Sequence, residues 1–190
     1  MDHKEEFVAF LSRSIIEIPQ DVKVLFEMLD DGDLGDDARV RVAGSLLYLL
    51  APGDLVPDSF GLLGHADDSL VFRMTMAATL GDVPDRAGHY RDRYPEVFGS
   101  LEADLAAARG FLGDVYPWLE ERLAALATIE FKGKRAPMFL EDVDEGSWLY
   151  DEVNEALLDF EIDEEELARS LRKVDRIVPV MRQKMEASRR

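Results

Sequence analysis

Apolar residues in this chain recur at spacings of three and four in nearly every hydrophobic segment, and that regularity confines it to a helical fold. In the first such segment Phe7, Phe10, Leu11, Ser14, Ile15 and Ile18 share one stripe, the mark of an amphipathic helix. Pro19 ends it, and Asp21 is placed to cap a second helix bearing Val22, Leu25, Phe26 and Leu29. The same spacing predicts helices over 36–50, 66–80, 95–110, 115–129, 147–160 and 163–186, the last kinked at Pro179. Strand signals are nearly absent: Thr128 to Lys132 is a lone candidate without a partner. The expectation is an all-α, single-domain bundle of seven to nine helices around a central Pro/Gly/Asp-rich helical hairpin. Its core should hold Phe7, Leu11, Ile15, Leu25, Leu46, Leu49, Leu63, Met74, Leu123 and Leu157.

Composition narrows the function. Of 190 residues 47% are hydrophobic, enough to build a packed core. Forty acidic residues against 22 basic ones give a net charge of −18, which repels nucleic acid and anionic lipid. There is no cysteine, so disulfides, zinc–thiolate sites, iron–sulfur clusters and cysteine nucleophiles are excluded. The N-terminus lacks the basic and apolar regions of a signal peptide, and the most apolar run, Val42 to Val56, is broken by Pro52, Gly53 and Asp54. The reading is a cytoplasmic protein.

The last third changes character. From Glu141 to Glu166 there are thirteen acidic residues and no basic one; from Arg169 to Arg190 there are eight basic and two acidic. Residues 1–135 then read as a helical core and 136–190 as an acidic-then-basic helical extension packed on it. Two antiparallel helices can pair there through Trp148, Leu157 and Phe160 against Leu171, Val174 and Val178. Alternatively the basic helix, with Arg169, Arg172, Lys173 and Arg176, docks on an acidic partner or a membrane surface.

The segment Tyr48-Leu-Leu-Ala-Pro52-Gly-Asp54-Leu-Val-Pro57-Asp58-Ser-Phe-Gly-Leu-Leu-Gly64-His65-Ala-Asp67-Asp68 is apolar yet full of helix breakers. As helix punctuation, Asp54 accepts from amides of the following turn, Pro57 and Asp58 open a short helix, Gly64 closes it in a left-handed conformation, and Asp67 with Asp68 favour the start of the next helix. Gly81 closes that helix in turn. As a ligand set, Asp54, Asp58, Asp67, Asp68 and His65 offer oxygens and one nitrogen to Mg²⁺ or Ca²⁺, although the spacing is not that of an EF-hand.

Tyr48, Pro52, Asp54, Pro57, Asp58, Gly64, Asp67 and Asp68 match in order and spacing the signature of the YkvA-like bacterial domain family, a domain of unknown function, which this segment resembles. The resemblance covers residues 39–80; Gly61 departs from it, standing where the family has a second proline. It implies a helical fold and association with membranes, and it brings neither a catalytic activity nor a cofactor.

Catalytic groups are scarce. Three histidines, His3, His65 and His89, fall short of a multi-histidine metal hydrolase. Nucleophile-elbow, phosphate-loop and dinucleotide motifs are missing. Tyr90, Arg91, Arg93 and Tyr94 form a small cationic-aromatic group that suits either a snorkelling helix end or an anion contact. The reading leans away from an enzyme. It favours a module that binds a protein partner or a membrane edge, motivated by the apolar run Leu46 to Leu63, with a divalent-metal protein as the alternative.

Overall fold

The structure is a computed structural model that describes residues 2–158 and 160–189, apart from the side chain of Asp58. It is all-α. In chain order the helices are α1 (His3–Ile16), α2 (Ile18–Asp30), α3 (Asp36–Leu50), α4 (Ala66–Asp82), α5 (Pro84–Arg93), α6 (Pro95–Phe98), α7 (Leu101–Leu112), α8 (Val115–Ala125), α9 (Met138–Glu141), α10 (Val143–Leu157), α11 (Glu164–Leu171) and α12 (Ile177–Ser188). The described helices thus outnumber the seven to nine expected. Two expected helices are broken: 95–110 at Gly99 and Ser100, and 163–186 at a 3-10 turn over Val174–Arg176. Pro179 does not kink α12 but sits in its first turn, where a missing N–H costs nothing.

The other departures are local. Asp21 does not cap α2; it lies in the first turn, fully buried. Gly81 lies inside α4, which runs on to Asp82. The lone strand finds a partner in the basic turn: Glu130–Phe131 pairs antiparallel with Lys134–Arg135 across Lys132 and Gly133, both at positive φ, the geometry of a tight hairpin turn.

Helices α3 and α4, joined by the signature segment, form the wall between two apolar clusters. One cluster gathers Phe7, Phe10 and Leu11 of α1, Leu55, Val56 and Leu63 of the signature, and Leu119, Leu171, Ile177 and Met181. The other gathers Val22 and Leu25 of α2, Val42 and Leu46 of α3, Phe72 and Met76 of α4, and Phe139, Leu149 and Val153. Because α4 feeds both clusters it is buried on almost every side, which is why its apolar residues lack a polar face. Of the ten expected core residues, Leu49, Leu123 and Leu157 are only partly buried; the other seven are buried.

The C-terminal helices part company rather than pair. α10 packs on α9 and α3, while α11 packs on the signature turn and α1, and α12 on α8. Trp148 and Leu157 join one cluster, Leu171 and Val174 the other. Each helix buries its apolar stripe against the core, and burial outweighs the attraction of opposite charges screened over about 8 Å at physiological salt.

Candidate functional site

The signature segment brings the end of α3 and the start of α4 together, and Asp67 is what holds them. Between the helices the chain leaves helical geometry, bends at Leu55 and Val56, and then coils as a 3-10 segment, Asp58–His65. Backbone outside a helix leaves amides without helical partners. Asp67, in the first turn of α4, supplies the acceptor: its Oδ2 receives the Tyr48 hydroxyl at 2.6 Å, the Leu55 amide at 2.5 Å and the Val56 amide at 3.3 Å. Asp67 therefore does not serve its own helix, and Asp54 is not the acceptor for the Val56 amide. The Asp54 carbonyl instead accepts from Lys184 Nζ of α12.

Asp67 is 1% exposed. Burial, and then the charge of Asp68, push its carboxyl up to about 7, against the Tyr48 and Leu55 donors that favour ionisation. Burial, then Asp67, likewise holds the Tyr48 phenol well above its ordinary value. Tyr48 is thus a fixed donor at neutral pH. Asp68 is buried beside His65, whose Nδ1 lies 3.4 Å from Oδ2, and the His65 ring meets Phe160 edge-on at 5.1 Å.

The glycines divide differently from expectation. Gly64 is not left-handed; Gly61 is, at φ 68°, and a Cβ there would lie 3.0 Å from Ser170 Oγ of α11. The position that departs from the resembled family is thus where the backbone turns and α11 closes over it. Pro52 is exposed and Pro57, at φ −66°, leads into the turn. The apolar residues that suggested a binding edge are largely covered: Leu46, Leu47, Val56 and Leu63 have no exposure.

The metal reading gains no geometry. Among the described residues no three histidine or carboxylate side chains converge to hold a metal ion, and Oδ2 of Asp67 already accepts from three donors. Asp58, whose side chain lies outside the described residues, adds nothing to this test. The cationic-aromatic group is committed internally: Tyr90 donates to Asp31, and Arg93 and Tyr94 to Glu27, fastening α5 to α2.

Two residues escaped the sequence reading. Arg73, 1% exposed, donates through Nε to Asp21 at 2.7 Å, through a terminal nitrogen to Glu17 at 2.6 Å, and to the Val97 carbonyl at 2.8 Å. An arginine within the apolar run Leu70 to Met74 was the signal. Gly44 touches the chain after α8, where a Cβ would stand 2.4 Å from the Leu126 carbonyl oxygen.

Next to Asp67 lies a cavity of about 40 Å³, lined by Tyr48, Leu70, Met74, Leu119, Leu123 and Ile129 among others. On the far side, α2 and α10 border two adjoining surface grooves of about 550 Å³ each, which share Phe26, Asp30 and Tyr150. Val143, Tyr150 and Leu158, 85%, 55% and 78% exposed, run along this surface, at spacings of seven and eight that keep them on one helical face. Phe26 meets the Tyr150 ring edge-on at 5.2 Å. Asp30, Glu141 and Asp151 line the grooves, and none of them forms a salt bridge among the described residues.

A family model described as "Protein of unknown function (DUF1232)" matches residues 38–73, which run from the start of α3 to Arg73 of α4. The YkvA-like resemblance is consistent with that family. No curated protein and no solved structure matches the chain.

Proposed function

We propose that the protein is a non-catalytic interaction module that receives a basic amphipathic helix of a partner protein in the groove between α2 and α10. One observation carries the reading: Val143, Tyr150 and Leu158 stand exposed on one helical face, edged by more acidic than basic groups, of which Asp30, Glu141 and Asp151 form no salt bridge among the described residues while Arg39 and Lys23 supply the basic ones. Exposed apolar side chains in a row mark a contact surface. The occupant's chemistry follows from the rim, since a basic helix neutralises Asp30, Glu141 and Asp151 while its apolar face covers Tyr150. Residues 136–190 act here as the extension that supplies α10 to a core of residues 1–135.

The acid rim and the net charge of −18 weigh against an anionic membrane as the occupant. Among the described residues no helix is long and apolar enough to cross a membrane. The reading keeps the cytoplasmic setting expected from the sequence.

The test is a fluorescence-anisotropy titration of a labelled lysine–leucine amphipathic peptide against the full chain. Binding should weaken by about tenfold or more in Tyr150→Ala, the usual consequence of removing an aromatic anchor, and should fall as salt rises. Equal binding by Tyr150→Ala and Leu158→Asp, or binding to anionic vesicles that Tyr150→Ala does not reduce, would overturn it.

A further inference from the structure

Four cations that the fold leaves unpaired stand side by side. With 40 acidic residues against 22 basic ones, a cation in this chain has carboxylates to choose from, and elsewhere Arg13 finds Asp104, Arg41 finds Asp82 and Arg182 finds Asp114. Arg169, Arg172, Lys173 and Arg176 are all exposed and form neither a salt bridge nor a hydrogen bond among the described residues. Leu167, Leu171, Val174 and Ile177, at spacings of three and four, are buried and hold the core side of α11 and of the turn after it. The four cations fall between them in the sequence and so share the opposite, solvent side. The one carboxylate within the run, Asp175, is taken by Lys4 of α1 at 2.6 Å.

Helix electrostatics account for part of this set and not for the rest. Arg169 lies in the last turn of α11, where the helix end is negative and a cation is favoured. Arg176 is the N-cap of α12, whose first turn holds no acidic residue; there the helix end is positive and a cation is disfavoured. A basic strip carried through that turn calls for an anion from outside the chain.

The shape of the strip chooses the anion. Seven steps of helical backbone make a line of about 10 Å. It is bounded at its N-terminal end by Glu164, Glu165 and Glu166, exposed in the first turn of α11. A flat anionic surface laid on the strip would bring its own charges against those carboxylates. A nucleic-acid strand would find no aromatic side chain within 169–176 on which to stack a base. A single extended polypeptide fits: at about 3.3 Å per residue, three or four of its residues match the line. Three of the four cations are arginines, which bind carboxylates through paired N–H donors.

We infer that the exposed side of α11 and the turn after it is a docking strip for a short run of aspartate or glutamate residues in a partner polypeptide. It is independent of the groove between α2 and α10, since α11 packs on the signature turn and α1, and α10 on α9 and α3.

The experiment is a fluorescence-anisotropy titration of the full chain at about 0.1 M salt, where charges act over about 10 Å. A labelled octaglutamate peptide and a labelled oligothymidylate are the probes, with phosphatidylglycerol vesicles in a third, co-sedimentation arm. The peptide should bind saturably, and the DNA and the vesicles should not. Arg172→Glu should weaken the peptide about tenfold or more, because like charges then meet at contact distance. Lys173→Glu repeats the test on the neighbouring side chain. Arg135→Glu is the matched control, the same change in net charge at an exposed residue of the hairpin, and should leave the affinity within about twofold. All three variants should melt like the wild type, since each side chain is exposed. No saturable binding of the peptide, equal losses in Arg172→Glu and Arg135→Glu, or binding of the DNA or the vesicles that Arg172→Glu abolishes would each overturn the inference. So would self-association of the chain alone in sedimentation velocity that Arg172→Glu abolishes, which would give the strip to a second copy.

Discussion

Asp67 organises the signature segment because one carboxylate oxygen serves three donors from two sides of a turn. Replacing it with alanine strands the Tyr48 hydroxyl and two backbone amides out of water. At about 1–3 kcal/mol for a stranded buried group, partly relieved by water entry, Asp67→Ala should cost about 2–4 kcal/mol in urea unfolding. Tyr48→Phe removes one donor and keeps the amides satisfied, so about 1–2 kcal/mol is expected. The pH dependence has a definite sign. The Asp67 carboxyl sits at about 7 in the folded chain against an ordinary 3.8, so the folded state binds the extra proton. The stability this group confers is complete below about 4 and is lost as pH rises through 7. Asp31 acts oppositely. Its carboxyl is lowered, because the Arg86 and Tyr90 hydrogen bonds outweigh its burial, so its contribution fades as pH falls below its ordinary range. Urea midpoints should therefore drop between pH 5 and pH 8, and the drop should be shallower in Asp67→Asn. A slope unchanged in that variant would mean the carboxyl titrates normally. The sequence made Asp67 legible as an acceptor near a helix start. It could not reveal which donors it serves, since Tyr48 and Leu55 reach it only through the closure of the turn.

At the scale of elements the apolar spacing was read faithfully where a helix has one neighbour and misread where a stripe continues through a break. Val97, Leu101 and Leu105 keep a spacing of four across Gly99 and Ser100, so periodicity alone joins α6 to α7. In the same way Leu171, Val174, Val178 and Met181 run on across the 3-10 turn after α11. Both breaks arise from the backbone, whose hydrogen bonds leave no trace in the apolar pattern. The crossing of α3 by the chain after α8 was equally hidden, because a glycine in mid-helix carries no side chain to place on a face. Gly44 makes that crossing possible: an added methyl would overlap the Leu126 carbonyl, and backbone cannot swing aside as a flexible side chain can. Gly44→Ala should lower stability by about 1–3 kcal/mol, the range for overpacking, although alanine is the better helix former. A melt that rose instead would show that the two segments can separate at little cost.

Across the whole molecule, the charge pattern of the C-terminal third suggested a paired acidic and basic helix, and the fold instead sends them to opposite sides of the α3–α4 wall. Net charge along a sequence states what surrounds each helix in solvent, while apolar stripes choose what each helix touches, and two clusters were available to choose from. The chain's two tryptophans report on the two sides. Trp148 of α10 stacks on Phe139 of α9, ring centres 6.0 Å apart and planes within 4°. Trp118 of α8 donates through its indole nitrogen to Ser188 of α12 at 3.3 Å. Leu171 of α11, buried in the cluster with Trp118, is the probe. Leu171→Ala should cost about 2–5 kcal/mol, as a leucine truncation in a packed core does. In a Trp118→Phe background the native emission of Trp148 should not move, because α11 does not form its surroundings. In a Trp148→Phe background the emission of Trp118 should respond, since the cavity opens in its own cluster. Raising salt should leave both spectra flat, as apolar contact and not screened charge holds each helix in place. A red shift of Trp148 on truncating Leu171, or on adding salt, would mean that the acidic and basic helices pair in solution and would overturn this division of the core.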